Sequence, residues 1–244
     1  MVHVEPHQLA GHVRRDDAAG HDVCMTFGGG AWACTFFMGI LDYAQRELPA
    51  TERAMWAYCG ESAGVFYALA GALDVPASTV REIVCDMAAE ARAMRFGFLC
   101  NCFAPGLRHL HMLLEAAGVA DNPNELRRRL AGRFAVSFSG LVNGSVSAYL
   151  ATDFQNFDEI ADAACGSGHI PIIADGLRTT LLRFPRIGGL LALDGAFTTA
   201  GCVPLLPCRT CVYAIACGSM PTESIEPHGI TVDIQPAHFI SQVT

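Results

Sequence analysis

The sequence predicts a single α/β domain with a central, largely parallel sheet between helices. Short apolar runs alternate with helical periodicity through residues 23 to 80, the pattern of strand, crossover helix and strand. Two of these runs end in glycine-bearing turns that pass directly into a helix. With 52% apolar and 16% charged side chains, 244 residues are enough for a deep core, and enough also to leave an apolar surface that meets lipid.

Taken in order, residues 1 to 22 read as a loose lead-in whose histidines, His3, His7, His12 and His21, lie on a mobile tail. The domain runs from 23 to 244, with its motifs between 23 and 206. Val23 to Phe27 is a strand that enters Gly28, Gly29 and Gly30, and apolar residues then recur at helical spacing from Trp32 to Leu48. A strand, a glycine turn and a helix form a cradle for phosphate or an oxyanion, because the first amides of a helix point outward unpaired. Gly28, Gly30 and Ala33 also fit a loose dinucleotide pattern, with Glu47 where a ribose ligand would fall. Met55 to Cys59 is a second strand. It leads through Gly60, Glu61, Ser62, Ala63 and Gly64 into a small, apolar helix that ends at Leu73.

Thr79 to Phe96 is helical. Phe96 to Leu107 is apolar and aromatic, either core or a lipid-facing lid. Arg108 to Gly118 and Asn124 to Leu130 are helices, the latter capped by Asn122 or Asp121 with Pro123 in its first turn. Arg127, Arg128 and Arg129 make a solvated face. Residues 134 to 152 alternate around Asn143 and Gly144, a hairpin signature. Asp158 to Cys165 is a helix, Gly166 to Pro171 a turn, and Gly188 to Leu193 a strand that delivers Asp194, Gly195 and Ala196. Cys208 to Ala216 and Gly229 to Ile234 are the last strands.

Composition excludes several functions. All 16 basic residues are arginine, so a Walker A lysine, a Schiff base and a serine–lysine dyad are absent. A net charge of −8 argues against a nucleic-acid partner. Eleven cysteines scattered through apolar stretches read as reduced core thiols in a cytoplasmic setting. No stretch is long and apolar enough to span a bilayer, so the chain reads as soluble or peripheral to membranes or lipid droplets. No cofactor is called for. Cys208 with Cys211, Cys100 with Cys102, and His109 with His111 lack the partner sets a metal needs.

The chemistry centres on Ser62. A GxSxG pattern between strand and helix is a nucleophile elbow, in which the serine sits on a strained turn with its oxygen exposed. Its hydroxyl needs a base, and the tetrahedral intermediate needs donors. The order GGG, GESAG and LDGA, at 28–30, 60–64 and 193–196, resembles the patatin-like phospholipases, and most closely their adipose triglyceride lipase branch. The turn Cys165 to Pro171 resembles the segment before that family's final strand. The resemblance implies a serine–aspartate dyad without histidine: Ser62 as nucleophile, Asp194 as base, and Gly28, Gly29 and Gly30 as the oxyanion loop. Gly60, Gly64 and Gly195 flank the motifs. The implied activity is lipid acyl hydrolysis through an acyl-enzyme, at a membrane or lipid-droplet surface. Trp32, where the family's loop usually continues in glycine, stands to narrow or obstruct the acyl pocket.

Other readings remain. Asp175 with Gly176 is a second DG pair, read as an ordinary turn because no apolar strand delivers it. A serine–acid–histidine triad would use Asp194 with His228 or His238, or Asp153 with His169. Under the dyad reading, replacing those three histidines together leaves activity nearly intact. A catalytically silent lipid-binding or scaffold protein and a lipid acyltransferase are the alternatives from other classes.

Overall fold

A computed structural model describes residues 3–6, 21–94, 102–142, 144–171, 173–174, 182–184, 190–199, 206, 208–214 and 231–234. The first half of the apolar stretch 96–107, the Asp175 and Gly176 pair, Asn143, His228 and His238 lie outside the described residues.

The parallel centre of the sheet forms where the apolar runs were expected. Strand β1 is His3–Pro6, β2 His21–Phe27, β3 Ala57–Glu61, β4 Phe134–Val142 and β5 Ser145–Thr152. Strands β6 (Leu182–Phe184), β7 (Leu190–Leu193), β8 (Cys208–Ala214) and β9 (Thr231–Ile234) complete the described set. The order across the sheet is β1, β5, β4, β3, β2, β8, β9, with β7 on β4 and β6 on β7. The five strands from β4 to β9 in this order are mutually parallel, while β1, β5, β6 and β7 run antiparallel to their partners.

Two departures concern the N-terminal stretch. His3–Pro6, expected to be loose, pairs with β5 from His3 opposite Thr152 to Pro6 opposite Tyr149. An otherwise open edge, with its row of unpaired amides and carbonyls, recruits that segment. His21, expected on the tail, begins β2 and lies between the Met55 and Gly132 carbonyl oxygens at 3.1 and 2.7 Å.

Helices cover the sheet. A 3-10 turn (Ala31–Phe36) leads into α1 (Phe37–Glu47), which buries Phe37, Ile40, Leu41 and Ala44, one stripe at helical spacing. The four-residue α2 (Ala50–Arg53) precedes β3. All nine residues of α3 (Gly64–Ala72) are buried, which its small and apolar composition permits. The helices α4 (Ala77–Ala93), α5 (Phe103–Ala116), α6 (Pro123–Leu130), α7 (Phe157–Ser167) and the short α8 (Ala196–Thr199) follow. Asn122 caps α6 by accepting the Glu125 amide, and Pro123 fills its first position. Asn156 caps α7 through the Glu159 amide. In the core Phe27 packs on Phe37 with ring centres 5.1 Å apart, both fully buried. Burying each such ring contributes on the order of 2–3 kcal/mol.

Register positions the site. β3 lies beside β4 up to Glu61 opposite Ser137. On that same side of β4, β7 comes from the opposite direction and ends with Leu193 opposite Ser139. The two strands therefore meet end to end along β4, two positions apart, a separation of roughly 7 Å at the rise of a strand. Ser62 and Asp194 are the residues that follow those two ends.

Candidate active site

β3 stops because the chain reverses at Ser62. The serine holds φ +53°, a left-handed conformation that costs an L-residue about 1–2 kcal/mol, and α3 begins two residues later. So sharp a turn leaves no room beside it. A Cβ at Gly64 would lie 2.1 Å from the Phe27 carbonyl oxygen, and one at Gly60 2.5 Å from Val65 Cα. Only glycine permits that approach. The start of α3 is thereby pressed against the end of β2, and the glycine loop comes to lie over the serine.

That loop divides the work of its amides. Gly28 donates its N–H to Ala214 O of β8 at 3.0 Å, continuing the sheet. Gly29 sits directly against Ser62: a Cβ there would be 3.1 Å from its Cβ and 3.7 Å from its Oγ. Gly30 at φ 153° and Ala31 at φ 47° turn the chain away from the serine, and the Ala33 amide bonds Gly30 O at 2.9 Å. Trp32 then stands 43% exposed.

Asp194 arrives from β7 almost wholly buried. Its Oδ1 accepts the Ala196 amide at 3.0 Å, while Oδ2 has no hydrogen-bond partner among the described residues. Burial pushes the carboxyl's pKa upward. The Ser62 hydroxyl, the Ala196 amide and positive charge on His169 act the other way, favouring the ionised form. Ser62 is thus near enough to influence the carboxylate's ionisation although no full bond has closed on Oδ2. Such loose contacts in a resting site tighten when substrate binds.

A set of hydroxyls and carbonyls ties the two halves together. Ser167, at the end of α7 and fully buried, accepts the Ser62 amide on its Oγ at 2.7 Å and donates that hydroxyl to Ser137 O at 2.5 Å. Its own carbonyl accepts the Gly195 amide at 3.2 Å. One residue therefore holds both the turn at Ser62 and the turn at Asp194 and Gly195. On the other side Ser139 Oγ reaches Asp194 O at 2.8 Å, Gly195 O at 3.1 Å and Thr198 Oγ1 at 2.8 Å, sharing its single proton among them. Glu61, fully buried, lies against Gly195, where a Cβ would meet its Cγ at 2.5 Å. Ser137 and Ser139 had no motif to announce them, and Glu61 stood inside GESAG without a role assigned to it. Only the turn containing Ser167 had been noticed, and for its resemblance rather than for its hydroxyl.

The structure brings His169 to Asp194 and not to Asp153. His169 is fully buried and bonded to the Ala192 and Asp194 backbone, whereas Asp153 is exposed at φ +58° beyond β5. His109 is a core histidine on Pro105 O at 2.7 Å, and His111 pairs at the surface with Glu115. Arg128 and Arg129 bond Glu125 on the exposed face of α6. Among the described residues no helix is long and apolar enough to cross a membrane.

No family model matches the chain, and no curated protein matches it. Among solved structures, the crystal structure of VipD from Legionella pneumophila is similar at 14% identity and a TM-score of 0.36, over 81% of this chain and 50% of that one, so the chain spans half of VipD's length.

Proposed function

We propose that this protein is a lipid acyl hydrolase that uses a serine–aspartate dyad, of the patatin-like phospholipase kind its motifs resemble. The observation that carries the reading is the end-to-end meeting of β3 and β7 on β4. It sets a serine strained at φ +53° beside a buried carboxylate with an unpartnered oxygen.

In the reaction Asp194, ionised, takes the proton of Ser62 as Oγ attacks an ester carbonyl. The carbonyl oxygen becomes an oxyanion held by amides of the glycine loop, with Gly29 and Gly30 as donors and Gly28 shaping the turn through its bond to Ala214. Collapse of the intermediate breaks the ester C–O bond. The leaving alcohol takes the proton from Asp194, and an acyl-Ser62 remains. Water then attacks the acyl carbon and gives a proton to Asp194. That proton returns to Ser62 as the fatty acid departs.

A lipid substrate is supported by three exposed apolar side chains near the site segments. Trp32 at 43% follows Gly30 by two residues, Phe197 at 57% follows Asp194 by three, and Ile173 at 48% follows His169 by four. Exposed apolar groups around a reactive centre suit the surface of a membrane or a lipid droplet. We place the protein there, in the cytoplasm.

Hydrolysis of p-nitrophenyl esters by the wild type, Ser62→Ala and Asp194→Asn tests the chemistry. The wild type turns over, and both variants lose on the order of 10⁴-fold in kcat/KM. Equal rates in all three would refute the dyad. Because the base must be ionised and burial raises its pKa, kcat/KM climbs with pH along a limb above the usual carboxylate range.

A further inference from the structure

His169 lies in the turn Cys165 to Pro171, outside the glycine loop, the GESAG and the LDGA segments, and it grips the chain on both sides of Leu193. Its Nδ1–H donates to Ala192 O at 2.8 Å, and its backbone oxygen accepts the Asp194 amide, also at 2.8 Å. The residue is fully buried and its ring stands 6.0 Å from Phe103. Because Nδ1 is committed to the carbonyl, Nε2 is left as the second polar atom of the ring. It has no hydrogen-bond partner among the described residues. Asp194 Oδ2 is in the same condition. Buried polar atoms without partners are uncommon, and two on residues in direct backbone contact mark a place built for something other than packing.

The four-residue β7 explains why the grip matters. β7 is held to β4 by three register pairs that end at Leu193, so Asp194 lies just beyond the last of them. Beyond that pair, among the described residues, Ser139, Ser167 and His169 bond the turn from other elements, alongside the bonds it makes with its own α8. Ser139 and Ser167 reach it through backbone atoms of Asp194 and Gly195. His169 alone among them also brings a titratable ring close enough for its charge to act on the carboxylate.

We propose that His169 is a positioning residue for Asp194: its ring and its backbone oxygen together pin the strand end that carries the base. This rests on the dyad reading, and it differs from a triad because His169 makes no bond to Ser62. Among the described residues, the elements that meet at the turn carry few other ionisable residues. β3 supplies Glu61 against Gly195, α7 supplies Cys165, α5 supplies Cys102 at its start, and β6 carries Arg183 opposite Leu191. β4 presents only the hydroxyls of Ser137 and Ser139, and α8 brings no ionisable residue.

Three variants separate positioning from mere filling: His169→Phe keeps a ring without its hydrogen bonds, His169→Leu keeps bulk alone, and His169→Asn keeps a donor where Nδ1 lies. Each is measured for kcat and KM on a p-nitrophenyl ester from pH 5 to 9, and for the rate at which a fluorophosphonate labels Ser62. His169→Phe and His169→Leu lose about 10- to 100-fold in kcat with KM within about twofold. His169→Asn recovers to within about threefold of wild type. Fluorophosphonate labelling of Ser62 follows the same order. Wild-type kcat and labelling rates in the Phe and Leu variants would overturn the proposal while leaving the dyad standing. A wild type with no Ser62-dependent turnover or labelling would instead remove the dyad, and this proposal with it. Should the Phe and Leu variants fail to fold, His169→Asn still decides: a rate within about threefold of wild type supports positioning through the Nδ1 bond, and a loss of about 100-fold overturns it.

Discussion

The two ends of the parallel strands treat carboxylates in opposite ways. At the end where β3 and β7 meet, Asp194 is buried, has one oxygen without a hydrogen-bond partner among the described residues, and has its pKa raised by burial. At the other end a groove of about 450 Å³ opens among Arg53, Leu73, Asp74, Arg128, Arg129 and Arg133. There Arg53 holds Asp74 through two bonds of 2.9 Å, and beside the groove Glu125 takes Arg128 and Arg129. Those two guanidiniums hold the Glu125 carboxyl down to about 2. A carboxylate that is solvated and doubly paired keeps its charge and loses its basicity. One that is buried and under-bonded stays ready to accept a proton. In the groove the charges answer one another, whereas at the opposite end of the strands the Asp194 carboxylate stays buried.

The contrast can be broken at several strengths. Removing either member of the dyad should have the largest effect, the loss of about 10⁴-fold described above. Next comes the link between the halves. Ser167→Ala leaves the Ser62 amide unpaired in the interior, so kcat should fall by about 10- to 100-fold and stability by about 1–3 kcal/mol. Ester kinetics with denaturant unfolding check this, and a wild-type kcat would mean that Ser167 does not set the dyad.

A subtler effect sharpens the comparison through stability. Burial raises the folded-state pKa of Asp194, so the wild type is most secure below the unfolded-state pKa and loses that advantage as pH rises through the folded value. Asparagine carries no charge to bury. Asp194→Asn should therefore melt above wild type at neutral pH, with the gap closing in acid, while its activity is lost. A variant that melts lower at every pH would contradict the account of the buried charge. The smallest effect belongs to the far end. Glu125→Gln should leave ester turnover unchanged and lower Tm slightly near neutrality. Because the folded pKa of Glu125 is depressed, that difference should shrink as pH falls through the acid range.

Much of the fold could be read beforehand because its signals are local. The apolar runs at Val23 to Phe27 and Met55 to Cys59 became β2 and β3, Gly144 took the positive φ of a hairpin turn at 81°, and Asn122 capped α6. The pieces that escaped depend on partners far along the chain. His3–Pro6 is a strand because β5 offers it an edge, and His21 is ordered by carbonyls 34 and 111 residues away. The reversed direction of β7 was equally hidden, since the same four apolar residues suit either sense. His169 shows the limit most clearly. It was weighed as a triad member with Asp153 and otherwise counted as dispensable, because nothing in its sequence neighbourhood points to Ala192 or Asp194.

By itself the sequence determined which groups are available for chemistry: a serine on a turn too tight for side chains at its flanks, a carboxylate after an apolar strand, a run of glycines, and no lysine at all. Tertiary structure alone decided that the serine and the carboxylate come from opposed strands on one side of β4, that Ser167 binds both turns, and that His169 bonds the backbone on either side of Leu193. The physical reason is that glycine requirements and apolar periodicity act over a few residues, while register, burial and the partners of buried polar atoms exist only once distant segments have packed.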